Sequence, residues 1–94
     1  MAYYIYILYS VSSDIYYVGY SDNPEKRLYQ HNNPVRMKFT SKHLPWELKC
    51  SFEVSENRGN AMKAEKYIKN KKSRKYLEKL IIDVEERQHI AQFG

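Results

Sequence analysis

Ninety-four residues are enough for one compact domain with a single core and too few for two lobes with a cleft between them, so an active site has to sit on one face. Hydrophobic residues at 43% and charged residues at 29% are ordinary globular values; no run approaches the ~18 consecutive apolar residues of a membrane span, and a single cysteine, Cys50, excludes an internal disulfide. A formal charge of +5, from sixteen Lys and Arg against eleven Asp and Glu, points to a polyanionic partner.

The first residues, Met1 to Tyr6, lack the basic start and small-residue cleavage site of a secretory signal, and with the lone Cys50 this gives the expectation of a cytoplasmic protein. Tyr3 to Tyr9 is β-branched and aromatic, and a second such run, Ile15 to Gly19, follows the polar stretch Ser10 to Asp14, which predicts a β-hairpin. Neither run alternates apolar with charged residues, so both hairpin faces are expected to be covered. An even number of turn residues would put Tyr6 and Tyr17 on one face, and an odd number would separate them.

Asn23-Pro24-Glu25 is a helix start, with Asn23 as N-cap, Pro24 at the first helical position and Glu25 at the positive end of the dipole; Asn32-Asn33-Pro34 ends that helix. Arg27 and His31, four residues apart, share a face next to Leu28, which places Arg27 beside buried surface. Residues 33–45 show no clean periodicity and read as a basic loop carrying Arg36, Lys38, Lys42 and His43 around Phe39. Trp46 to Val54 then alternates apolar and polar without a break, which predicts a strand with one wet face.

After a turn over residues 55–59, a helix of roughly ten residues carries Ala61, Ala64 and Ile68 at core spacing, with Glu65 inside the same stripe. Residues 69–72 break it, and Ser73 caps a last helix whose core face is Leu77, Leu80, Ile81 and Val84; the polar tail, residues 85–94, is expected to fray. The order β-β-α-β-α-α predicts a single α+β domain over residues 1–94, a small three-stranded, largely antiparallel sheet flanked by helices.

Charge is concentrated late in the chain. Between Arg58 and Lys79 there are nine basic residues against two acidic ones, the kind of footprint that phosphate backbones attract. No phosphate-binding glycine loop, dinucleotide fingerprint, zinc-type Cys/His spacing or nucleophile elbow is present. What remains is aromatic hydroxyls in the first two strands, an arginine one turn into a helix and a glutamate on the inner face of a later one.

In these residues the chain resembles the GIY-YIG nuclease family, in particular its small single-domain bacterial branch, related to the N-terminal nuclease domain of the excision-repair incision enzyme. Tyr4-Ile5-Tyr6 matches the first motif and Tyr17-Val18-Gly19 the second. The match continues in order through Arg27 in residues 25–32, through 44–48, and through Glu65 in residues 64–69, so the resemblance covers about residues 3–82. Tyr4 stands where the family's naming glycine falls, and no counterpart of the late asparagine of some homing members is found, which leaves Asn70 without an assigned role.

The resemblance implies that Tyr17 helps to activate the attacking water, with Tyr6 and His31 tuning it by hydrogen bonding. A tyrosine, with an ordinary pKa of ~10, needs cationic neighbours to act as a base, and Arg27 and a metal are the neighbours implied. Arg27 would stabilise charge on the phosphate, and Glu65 would hold Mg²⁺ or Mn²⁺, an ion that keeps several waters and borrows oxygen ligands from the substrate. The expected partner is DNA, with branched or damaged DNA among the candidates, contacted by Arg36, Lys38, Lys42, Lys66 and Lys69. No membrane and no small-molecule cofactor is expected, and the oligomeric state stays open.

Bland readings stand beside these. Any one of ten tyrosines is more often a packing residue, Arg27 and His31 suit a solvated helix, and Glu65 has Lys69 four residues on for a local ion pair. Trp46 belongs to the core register, which leaves Phe39 as the better candidate for base stacking. The leading function is a metal-dependent DNA endonuclease in repair or processing; the alternative is a nucleic-acid-binding module of the same fold that cuts little or nothing.

Overall fold

The computed structural model describes residues 1–35 and 39–92, with the side chains of Phe39 and Thr40 outside that description. Strand β1 (Tyr3–Ser10) pairs antiparallel with β2 (Ile15–Ser21) on one side and β3 (Trp46–Ser55) on the other, giving the order β2-β1-β3. The α+β class and the antiparallel sheet expected from the sequence are both present. β1 is the central strand, and Ile5, Tyr6, Ile7 and Leu8 are all at most 2% exposed, so both of its faces are covered.

Four residues, 11–14, join β1 to β2, the even count that keeps Tyr6 and Tyr17 on one face: Tyr6 lies opposite Gly19 and Leu8 opposite Tyr17. Asp14 closes the turn in the left-handed region at φ 54°, which a short polar side chain tolerates. Its amide donates to the Ser10 carbonyl at 2.7 Å, and its carboxylate accepts from Tyr9 Oη and Arg74 Nη2.

Helix α1 (Pro24–Asn32) starts as expected, with the Asn23 side chain accepting from the Lys26 amide. A short 3₁₀ turn (Phe39–His43) leads into β3, and Asn32 at the end of α1 ties that helix to β3, accepting from the Trp46 amide at 2.6 Å and donating to its carbonyl at 3.0 Å. Helix α2 (Arg58–Asn70) is capped by Asn57, and α3 (Arg74–Ile82) by Ser73.

Two expectations are corrected. β3 does not present one apolar face along its length, because its register against β1 shifts between Ile7 and Leu8. The bulge turns Trp46 and Leu48 toward α1, while Cys50, Phe52 and Val54 pack against the other helices. The chain end is not a fraying tail: the backbone extends at Asp83, whose side chain accepts from the Glu85 and Glu86 amides and starts a further helix, α4 (Val84–Ala91). Ile90 of α4 is fully buried, whereas Val84, expected on a core face, is 56% exposed. The order is therefore β-β-α-β-α-α-α.

One sheet face carries α2, α3 and α4 over Ile5, Ile7, Val18, Cys50 and Val54; the other carries α1 over Tyr6, Leu8 and Trp46. Among the described residues no helix is long and apolar enough to cross a membrane.

Candidate active site

The site follows from β2 being an edge strand. α1 lies on one face of the sheet and α2 on the other, and side chains from both helices meet around the β2 edge. There they line a cleft of about 370 Å³.

Its floor is made by the hairpin. Tyr6 is 2% exposed, and its ring lies across Gly19, where any added Cβ would fall on the ring and hydroxyl. Glycine is needed here for close approach. The Tyr6 hydroxyl is hydrogen-bonded to His31 Nε2 at 3.1 Å. Tyr17 is half-buried beside it, with ring centroids 6.4 Å apart, and stacks edge-on against His31 at 4.9 Å. From the opposite side of the sheet, Lys69 Nζ reaches to 5.8 Å from the Tyr17 ring centre.

The walls come from the two helices. α1 contributes Lys26, Arg27 and Gln30, with Arg27 Nη1 donating to Gln30 Oε1 at 3.3 Å; α2 contributes Arg58, Glu65 and Lys69. The Glu65 side chain is 21% exposed, and its carboxylate is paired with Lys69 Nζ at 3.1 Å. Burial pushes the Tyr6 phenol well above the ordinary tyrosine range; Tyr17 adds to this, Arg27 opposes it and Glu65 adds again. Tyr6 thus stays protonated at neutral pH, and it feels both helices at once.

Of the candidate residues, Tyr6, Tyr17, Arg27, Glu65 and Lys69 are brought together in the cleft. His31 stands behind Tyr6 as its hydrogen-bond partner. Arg27 is exposed on the wall rather than packed against core. Lys66 lines a neighbouring cavity, and Lys42, in the 3₁₀ turn, lines neither. Arg36, Lys38 and the Phe39 side chain lie outside the described residues.

Arg58 and Gln30 are cleft residues that the sequence reading did not single out. Arg58 Nε donates to Tyr20 Oη at 3.2 Å. Its signal was available, since Arg58, Glu65 and Lys69 are spaced at seven and four residues and so share one face of α2.

Among the described residues no group of three His, Cys, Asp or Glu side chains forms a metal cage. The cleft offers the Glu65 carboxylate and, on the loop before α1, the exposed Asp22. One carboxylate facing an open, solvated cleft fits Mg²⁺ or Mn²⁺, which retain waters, and does not fit structural zinc.

Residues 2–80 match the family model described as the GIY-YIG catalytic domain. A UPF0213 protein of Bacillus licheniformis is 40% identical over 80 residues, covering 85% of this chain and 79% of that protein. One from Bacillus cereus is 38% identical over 71 residues, covering 72% and 73%. The solution NMR structure of a UPF0213 protein from Bacillus halodurans superposes with a TM-score of 0.50 at 27% identity, covering 86% of this chain and 83% of that one.

Proposed function

The chain belongs to the GIY-YIG family, and from that premise we propose that it is a divalent-metal-dependent DNA endonuclease acting in repair or processing. The observation that carries this reading is the meeting of Tyr6, Tyr17, Arg27 and Glu65 in one cleft, although α1 and α2 belong to opposite faces of the sheet.

The two phenols have different work. Burial keeps Tyr6 protonated, so it acts as a hydrogen-bonding group anchored to His31 and positions rather than deprotonates. The base role falls to Tyr17, half-buried at the cleft with Arg27 and Lys69: its own proton passes first to solvent, and the phenolate oxygen, with cations facing it, then takes the proton of the attacking water. Arg27, on the exposed wall with Gln30 steadying its guanidinium, offers a donor fork to the phosphate oxygens as charge builds on them. Glu65 would hold the divalent ion, which when bound supplies Lewis-acid stabilisation of the phosphate. Lys69 then has to exchange its Glu65 pairing for a phosphate oxygen.

That ion pair is also the observation that favours the second reading, a nucleic-acid-binding module that does not cut, since Lys69 already neutralises the proposed metal ligand. Nicking of supercoiled plasmid separates the two. The expected result is nicking with Mg²⁺ or Mn²⁺ and none with chelator, with Glu65→Ala slowing it roughly 100-fold or more at nearly unchanged DNA affinity. Wild-type protein that binds DNA without nicking it, with binding untouched by Glu65→Ala, would leave the binding-module reading in place.

A further inference from the structure

Beside the cleft, and continuous with it through Tyr20, Glu65 and Lys69, lies a second cavity of about 610 Å³. It runs along the face of α2 that carries Gly59, Met62, Lys63 and Lys66. That volume falls within the roughly 300–1,000 Å³ of small-ligand clefts. Its walls combine an aromatic ring, Tyr20, held in place from its hydroxyl by Arg58, with Met62, which is 50% exposed. A single exposed methionine is ordinary on a protein surface. Here it lies on a strongly basic helix face and lines the same cavity as the tyrosine.

We propose that this cavity is a nucleobase subsite, receiving the base of a nucleotide that flanks the phosphate bound by Arg27 in the cleft. The inference rests on the nuclease reading for the phosphate's position. The occupant follows from two features on one continuous surface. Tyr20 and Met62 offer an aromatic face and a polarizable thioether, which suit the π-face of any base without selecting its identity. Lys63 and Lys66 are exposed at the rim, placed to meet the phosphates of the same strand. A duplex cannot deliver a stacked and paired base into such a cavity without extruding it, and extrusion costs least where the base is already unpaired. The preferred substrate therefore carries an extrahelical base next to the bond that is cut.

The test compares binding of a duplex with a single-nucleotide bulge and its fully paired counterpart, by fluorescence anisotropy in chelator so that nothing is cut. Wild-type protein is expected to bind the bulged duplex on the order of tenfold more tightly. Met62→Ala, a mild change on an exposed helix face, should remove most of that preference and leave affinity for the paired duplex unchanged. Met62→Lys should tighten binding to both duplexes while still abolishing the preference, which separates apolar contact from charge. Equal binding of the two duplexes by wild-type protein, or an equal loss on both in Met62→Ala, overturns the subsite. Plasmid nicking without a bulge preference leaves the nuclease reading standing and this one fallen; a bulge preference lost in Met62→Ala, in a protein that nicks nothing, does the reverse.

Discussion

Against one face of the sheet, α2, α3 and α4 bury Ala61, Ala64, Ile68, Leu80 and Ile90 on the aliphatic side chains of β1, β2 and β3. Against the other lies α1 alone, which contributes no buried residue and meets the sheet through the partly buried Leu28 over Tyr6, Leu8 and Trp46. The first face is aliphatic at its buried centre, with its aromatic rings only partly buried around it; the second buries Tyr6 and Trp46 themselves, carries the Tyr6–His31 hydrogen bond and opens at the β2 edge into the cleft. The difference teaches that stability and chemistry are divided between the faces. The thick layer holds the hairpin rigid, and this lets the thin one leave hydroxyls, an imidazole and a guanidinium around a solvated cleft.

The division is sharpened most by a change confined to the thick face. Ile68→Ala removes a side chain that is 2% exposed, and it should cost about 2–5 kcal/mol in denaturant unfolding. Metal-dependent nicking per folded molecule should stay at the wild-type level. Equal loss of both would show that the two faces are one mechanical unit.

Gly19→Ala is the change that ought to break the division. A Cβ at Gly19 falls on the Tyr6 ring, so that ring, central to both the thin face and the cleft, must move. The expected cost is about 1–3 kcal/mol of stability from overpacking, with nicking falling well beyond what the unfolded fraction explains. Farther from the cleft, Asp83→Ala removes the cap of α4 and should cost about 1 kcal/mol, with nicking unchanged.

Asp83 also marks where the sequence was hard to read. The starts of α1, α2 and α3 were legible because Asn23, the turn before Gly59 and Ser73 are local signals, acting within three residues of themselves. The apolar spacing of Leu77, Leu80, Ile81 and Val84 runs unbroken through Asp83, so the stop is masked and the stretch that forms α4 has the pattern of a fraying tail. β3 failed for a related reason: alternation from Trp46 to Val54 is period two, but the bulge exchanges faces without disturbing the alternation in the sequence. In the site, the motif residues were legible one by one. Arg58, Gln30 and the second cavity were not, because they become neighbours of Tyr17 and Glu65 only once β2 is known to be an edge strand that both helices overhang.

The smallest effect at neutral pH is the one that isolates Tyr6. Tyr6→Phe keeps the ring over Gly19 and removes the hydroxyl bonded to His31, so the stability change at neutral pH should be about 1 kcal/mol or less. Alkaline solution enlarges the difference. Burial raises the Tyr6 phenol above its ordinary value of 10.0, so the folded protein holds this proton more tightly than the unfolded chain does. The stability linked to Tyr6 is then fully present below pH 10 and is lost as pH rises through the higher folded value, because the unfolded chain ionises first. Tyr76 is raised by its own burial and by the Glu86 carboxylate that its hydroxyl donates to, and it contributes a slope of the same sign from the thick face. Urea midpoints measured from pH 8 to pH 11 should therefore fall above about pH 10 in wild-type protein, less steeply in Tyr6→Phe, and least in a variant that also carries Tyr76→Phe. Identical slopes for wild-type protein and Tyr6→Phe would mean that the Tyr6 phenol reaches water, and it would then lose its assignment as the proton-holding partner of Tyr17.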